Sequence, residues 1–309
     1  MHRFIKESAS TLGFDACGIA KAEMLADDAD FLRQWLADGK HGKMAYLANN
    51  FDKRTNPQLL VPGCKSVVVL LSNYFPVEKQ PDNAPKIAKY AYSATDYHFV
   101  IKERLKKLEQ ILINQYGNDI FAKEQHLFVD SAPVLERRWA QRAGLGWIGK
   151  HMQLIAPNLG SYCFISIMML NVTLEYDTET YPNRCGKCTR CIDACPTQAL
   201  NGTSMDARKC ISYQTIENKD IVDDEIAGKL SGCALGCDIC ADVCPWNKKW
   251  AHPHQDKDLK PTEAIHWLWP DWENMTKEKF KLTFKNSSVQ RAGYDKLVQN
   301  IALLKKNCT

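Results

Sequence analysis

Most of the 13 cysteines in this 309-residue chain fall between Cys185 and Pro245, and their spacing points to metal chemistry. The segment reads CGKCTRCIDACP, then a lone Cys210, then CALGCDICADVCP. The first run has the form C-x2-C-x2-C-x3-C-P, in which three thiolates hold one [4Fe–4S] cluster and the fourth, before Pro, reaches a second cluster. The second run repeats that ending in Cys237, Cys240 and Cys244, again followed by Pro. A cubane takes thiolates from a tight turn and one from a remote segment, so two such runs complete two clusters by exchange. The spacing assigns Cys185, Cys188, Cys191 and Cys244 to one cluster. It assigns Cys195, Cys237 and Cys240 to the other, with either Cys210 or Cys233 as its fourth ligand. Zinc sets lack the C-P ending and rarely interleave, and a disulfide framework needs an oxidising compartment.

The rest of the chain must position these clusters and give their electrons a destination. Its make-up, 45% hydrophobic and 25% charged, is that of an ordinary folded protein, long enough for one large domain and a small one. The N-terminus carries charges where a signal peptide's apolar core belongs, so a cytoplasmic location is expected. The longest apolar run, 162–170, is too short to cross a bilayer and fits a buried strand. Cys17, Cys64, Cys163, Cys308 and the spare member of the Cys210/Cys233 pair read as plain thiols in a reducing compartment.

Helices are expected at 3–12 and 28–37. In the second, Phe31, Leu32, Trp35 and Leu36 share an apolar face, and Gly39 stands where a C-terminal cap belongs. Residues 66–74 form a continuous apolar run, as in a sheet covered on both faces. Pro76, Pro81 and Pro85 mark a surface loop. After it, Ile101, Leu105, Leu108, Ile111 and Leu112 recur at helical spacing. A short strand, LFVD, ends at Asp130, and the helix VLERRWAQRAG follows, closed by Gly144. GLGWIG satisfies G-x-G-x-x-G, but a dinucleotide fingerprint follows a strand and this one follows a helix. Lys150 is succeeded by His151 and not by Ser or Thr, so it is not a phosphate-binding loop either. It reads as a helix-ending turn with tight backbone. The order αα-β-α-β-α-β argues an α/β domain with helices on both faces.

The net charge of +4 is uneven. From Thr276 onward, Lys277, Lys279, Lys281, Lys285, Arg291, Lys296, Lys305 and Lys306 stand against only Glu278 and Asp295. Such a tail suits nucleic acid or is simply a solvated helix face.

A ferredoxin needs no preceding domain of this size, so a redox cofactor or substrate is expected there. The motifs KRTNPQLLVPGCKSVVV, YAYSATDYH, VDSAP, AGLGWIGK, GSY, CISY and GCDICADVCPWN, in this order, resemble the epoxyqueuosine reductases, cobalamin and iron–sulfur enzymes of tRNA queuosine synthesis. The resemblance covers residues 3 to about 250. The tail is similar to the segment that leads, in that family, towards a helical-repeat extension, so a short form is expected. The family is related to the reductive dehalogenases.

The resemblance implies a fold of the α+β or α/β class: a nitroreductase-like cobalamin-binding α/β domain (1–178), a ferredoxin-like domain with two [4Fe–4S] clusters (179–250) and a basic helical segment (251–309). It implies base-off cobalamin, fed single electrons by the clusters from an external low-potential donor. The substrate implied is epoxyqueuosine at the wobble position of a tRNA with a GUN anticodon; the protein is expected to be a monomer without membrane contact. Asp130 matches the family's proton donor, where an acid protonates the oxygen of an opening epoxide and gains from a pKa raised by burial. Its alternative use is as an N-cap of the following helix. Arg54, Tyr97, His98, Leu154, Ile165 and Ser212 match positions bordering the corrin, Arg54 as a binder of amide or phosphate oxygens. The CISY match selects Cys210 as the fourth ligand and leaves Cys233 spare. FISIMML and His151-Met152 depart from the family pattern at the pocket's edge. Two competing readings are a reductive dehalogenase of a small molecule and a two-cluster electron carrier.

Overall fold

The computed structural model describes residues 1–122 and 125–307; Cys308 lies outside them. Four strands form the main sheet: β1 (Ala16–Lys21), β2 (Ser66–Asn73), β3 (Leu127–Val129) and β4 (Cys163–Leu170), in the order β1-β2-β4-β3. Every neighbouring pair is antiparallel, with Gly18 opposite Val69, Val69 opposite Ile167, and Ile167 opposite Phe128. β2 is buried along its whole length, because helices cover both faces. Val68, Leu70, Met168 and Leu170 face α1 (His2–Thr11) and the long α3 (Tyr97–Tyr116). Val67, Val69, Leu71, Ile167 and Met169 face the opposite way, against Trp139 and Ala140 of α4 (Glu136–Arg142). The strand period of two thus divides one apolar run between two cores.

Two local expectations need correction. β1 was not anticipated; its short ACGIAK run shows no clear alternation, and Gly18 matters because a Cβ there would lie 2.2 Å from the Ala143 carbonyl. α2 (Ala26–Ala37) buries Ala29 and Leu32, whereas Phe31, expected on its apolar face, is 42% exposed. Gly39 ends that helix as expected, at φ +66, with its N–H on the Leu36 carbonyl.

The basic tail is part of the folded body. Ala264, Ile265, Trp267, Trp272, Phe280, Phe284, Leu297, Ile301 and Leu304 share one core with Ile87, Tyr92, Ile211 and Leu235. The Asn286 carbonyl accepts from the amide of Asp96 at 2.5 Å, and Ser287 Oγ donates to the Ser93 carbonyl. In α5 (Tyr294–Lys306), the buried Asn300 amide nitrogen donates to the carbonyls of Thr215 and Ala234. The tail therefore fixes both the start of α3 and the segment carrying Cys210. Among the described residues no helix is long and apolar enough to cross a membrane.

Candidate active site

The two cysteine runs fold as short turns joined by prolines. In the first, the Cys188 amide donates to the Cys185 carbonyl and a single helical turn, Arg190–Asp193, carries Cys191. In the second, Ile239–Asp242 ends at Cys244, and Pro245 opens the next helix, where a missing N–H costs nothing. All described cysteines are free thiols. Burial pushes the Cys191 thiol up, and Cys185, Cys244 and Cys188 act on it as near charges. Burial likewise raises Cys210, beside Cys237 and Cys195, and Cys240, beside Cys237, Cys210 and Cys191. The structure thus gathers Cys185, Cys188, Cys191 and Cys244 in one group, and Cys195, Cys210, Cys237 and Cys240 in a second that adjoins it. Cys233 hydrogen-bonds Cys237 and raises its thiol, and its own Sγ lies 4.0 Å from the Ser231 carbonyl.

Thiols crowded like this surrender their protons only to metal cations, so the donor sets suit iron. Among the described residues no three His, Cys, Asp or Glu side chains surround a point that one ion could fill. A cubane asks for something larger, since its thiolates bind separate iron atoms. Trp147, Trp246 and Trp250 pack edge-on and tilted over the first group, with ring centroids 4.7 to 5.9 Å apart. Lys150 Nζ holds the first turn from the larger domain, donating to the carbonyls of Gly186 (2.7 Å) and Cys188 (3.0 Å).

The second centre lies where β3 ends. Asp130 adopts φ +49, turning its carboxylate away from the sheet, and α4 begins only at Glu136 with Leu135 at the cap position. Asp130 is therefore no N-cap. Its Oδ2 accepts from the Tyr97 hydroxyl at 2.6 Å and lies 3.9 Å from His98 Nε2. Tyr97 stacks between Phe164 (3.9 Å) and His98 (4.1 Å). Burial, and then the Asp130 charge, push its phenol far above the usual range, so it remains a hydrogen-bond donor at any ordinary pH. His98 is fixed from the other side by Asp96, which caps α3 and accepts from both the His98 amide and its Nδ1. Burial pushes Asp96 up, but those bonds outweigh it and leave the carboxyl below its ordinary value. The side chain of Asp130 is 65% exposed, which is not the burial expected from the sequence.

Arg54 is a charged neighbour of Glu136 and Tyr46. It sits in the short helix Phe51–Thr55, is buried, and donates through Nη2 to the Tyr46 carbonyl at 3.0 Å. Its Nε is sealed from solvent without a partner in the protein. Glu136 ends in a similarly sealed, unpartnered Oε1; burial and then the Asp130 charge push its carboxyl up to about 8, against Arg137 and Arg54. Ser212 lies in the helix Ile211–Ile216 beside Cys210. Tyr213 of that helix accepts from the Lys43 amide at 2.8 Å, tying it to the segment before Arg54. From the tail, Arg291 Nε donates to Glu217 at 2.6 Å, and Glu217, with Tyr46 and Asp130 as more distant charges, raises its guanidinium. Leu154 is buried and Ile165 partly so, both in the core between sheet and α4. His151 is buried beside Arg137. The sequence reading missed Glu136 and the placing of Arg291; the only trace of Glu136 was its position six residues past Asp130.

A family model described as "Epoxyqueuosine reductase QueG, DUF1730" matches residues 54–131, and one described as "4Fe-4S double cluster binding domain" matches 184–247. An epoxyqueuosine reductase of Cyclobacterium marinum is 46% identical, covering 99% of this chain and 97% of its own. The chain belongs to the epoxyqueuosine reductase family. The epoxyqueuosine reductase of Streptococcus thermophilus superposes with a TM-score of 0.88 at 28% identity, over 100% of this chain and 81% of that one. A crystal structure of epoxyqueuosine reductase with an epoxyqueuosine-modified tRNA-Tyr stem loop gives 0.86 at 29%, over 99% and 81%. The expected mixed α/β fold, the two [4Fe–4S] clusters and oxidoreductase activity are thereby established for an epoxyqueuosine reductase of this sequence, which is more than a two-cluster electron carrier.

Proposed function

We propose that this chain reduces the epoxide of epoxyqueuosine at the wobble position of a GUN-anticodon tRNA to the alkene of queuosine, with Asp130 as proton donor. The observation that carries it is the Tyr97–Asp130 hydrogen bond, which orients an exposed carboxyl at the end of β3. The reaction consumes two electrons and two protons and releases water. The electrons come singly through the thiol-bound clusters from an external low-potential donor.

The cleft suits cobalamin. The unpartnered Arg54 Nε is a buried donor that an amide or phosphate oxygen would satisfy, and Ser212, Tyr97 and His98 add polar edges. Cobalamin bound there supplies the strongly reducing centre for the carbon side of the reaction. The protein's own part is proton delivery and orientation. Asp130 protonates the epoxide oxygen as its carbon–oxygen bond breaks, avoiding a free alkoxide. Tyr97, locked between two rings, fixes the carboxyl's direction, and Arg54 anchors the cofactor's periphery. In this reading residues 1–178 bind cofactor and substrate and 179–250 hold the clusters. Arg291, paired with Glu217 and charge-coupled to Asp130, offers a guanidinium to the phosphates of an anticodon loop.

The test is anaerobic reconstitution with iron, sulfide and cobalamin, followed by assay on an epoxide-bearing tRNA stem loop. Conversion to the alkene that depends on cobalamin and weakens with rising salt is expected. Protein loaded with iron that takes up no cobalamin and still converts the epoxide would contradict the reading.

A further inference from the structure

Reduction of the epoxide draws two electrons from outside, passed singly through the clusters, and the two thiol groups differ in how a donor can reach them. From Pro182 to Arg190 every residue other than Cys185 and Cys188 is exposed. From Gly232 to Ala241, and again from Ile211 to Ile216, no residue is exposed, because Ile211, Leu235, Cys237 and Ile239 pack into the core shared with the tail. The first group is therefore the outward end of the pair. We propose that the face over it is the docking surface for an acidic one-electron carrier protein. The inference deepens the function proposed above and rests on its external donor.

The face is built from charges and rings. Arg184, Lys187 and Arg190 lie on the first turn, and Lys248 and Lys249 on the helix Pro245–Trp250 after Cys244; all five are exposed. Ring contacts join the two segments. The Arg184 guanidinium sits 5.9 Å from the Trp147 centroid, Trp147 packs edge-on against Trp246 and Trp250, and Lys249 Nζ lies 5.8 and 5.7 Å from those two rings. Cys244 and Cys185 belong to the same aromatic cluster. Elsewhere exposed cations are held by carboxylates, as Lys43 is by Asp220, Arg208 by Asp206 and Lys229 by Glu225. Among the described residues none of the five has such a partner. The acids on these segments are engaged otherwise: Asp193 accepts from Thr189 at 2.7 Å, and Glu179 bonds Tyr181. Gathering like charges without partners costs self-repulsion, which an acidic surface laid over them relieves.

RNA is also a polyanion, but position favours the carrier. An electron delivered at this face enters the cluster directly beneath it. An epoxide on RNA must instead meet Asp130, whose contacts are Tyr97 and His98 and include none of the five cations. The half-buried Trp246 and Trp250 supply the small apolar centre, and the cations the polar rim, of a weak electron-transfer interface. Each encounter oxidises one carrier by one electron and reduces one [4Fe–4S] cluster by one. Two encounters supply the two electrons that, with two protons, convert epoxide to alkene and water. Steering by charge makes such encounters fast and leaves the spent carrier free to go.

The test follows bleaching of the clusters in stopped flow when the reconstituted protein meets a reduced acidic flavodoxin, at low and high salt. Lys187→Glu/Arg190→Glu/Lys248→Glu reverses three charges that make no hydrogen bond, ion pair or ring contact in the protein. At low salt its second-order rate constant should fall about 10- to 100-fold below wild type, and the gap should close as salt rises. Lys187→Gln/Lys248→Gln, which only removes charge, should show a smaller drop in the same direction. NMR line broadening of labelled oxidised flavodoxin by the protein reads docking without turnover, and should be lost in the triple variant. Iron content, and epoxide reduction driven by excess dithionite, a small reductant that needs no docking face, should match wild type. Equal flavodoxin rates in wild type and variants at low salt overturn the proposal. So does a triple variant that accepts electrons normally and binds the tRNA stem loop more weakly, which would make the face an RNA surface. A wild type whose clusters flavodoxin reduces in this charge-dependent way, but which converts no epoxide with either reductant, would refute the reaction assigned above and leave the docking face standing.

Discussion

The two centres of this molecule are built in opposite ways. The first thiol group takes three members from seven consecutive residues and only Cys244 from elsewhere. The cleft draws Arg54, Tyr97, Asp130, Glu136, Ser212 and Arg291 from almost the full length of the chain. In the cluster segment, residue type and spacing are the function: a thiolate on iron needs little beyond its position in a turn. At the second centre, an ordinary carboxyl is oriented by what surrounds it, here a stacked tyrosine and a left-handed backbone turn.

The sharpest way to break this comparison is to exchange cysteines. Cys210→Ser should lose about half the bound iron and cut turnover by ~1,000-fold or more, because one broken cluster stops the electron path. Cys233→Ser should keep full iron content and near-normal turnover. Iron analysis and epoxide reduction on both variants check this; equal losses would contradict Cys210 as the fourth ligand of the second group.

Smaller effects are expected in the cleft. Arg54→Ala should weaken cobalamin uptake by ~10–100-fold while leaving iron content intact, as read by equilibrium titration, since it removes a buried charged donor worth about 1.5–3 kcal/mol. Tyr97→Phe should lower kcat by ~10-fold, with cofactor content unchanged, because Asp130 loses the donor that orients it. Leu70→Ala, in the fully buried core of β2, should cost about 2–5 kcal/mol of stability. It should lower the unfolding temperature without changing turnover at low temperature, which separates the scaffold from both centres.

The same contrast explains what could be read from the chain alone. Seven of the eight cluster cysteines were legible because they fall in two runs of short, repeated spacing; Cys210 came from the family likeness. β2 and β4 were legible because two covered faces demand unbroken apolar runs, and Gly144 and Gly39 were legible as helix ends. β1 was not, since its pairing with β2 supplies what its own residues lack. The antiparallel order of the sheet was not stated either, because a run buried on both faces looks alike in either direction. Phe31 was misplaced because helical spacing gives a stripe but not which edge of it meets the sheet. Asp130 came from a family likeness, and only the folded chain shows that Tyr97 holds it and that it caps no helix. Glu136 looked like any acidic residue in a first helical turn, where the helix dipole favours it. Its half-buried place, charge-coupled to Asp130, is a tertiary fact.

The central claim is that Asp130 supplies protons in a cleft that otherwise forms without it. The most direct measurement is single-turnover conversion of an epoxide-bearing stem loop by Asp130→Asn, matched to wild type in iron and cobalamin content. The rate should fall by ~100- to 10,000-fold while both cofactors remain bound. A variant that carries both cofactors and turns over at the wild-type rate would contradict the account.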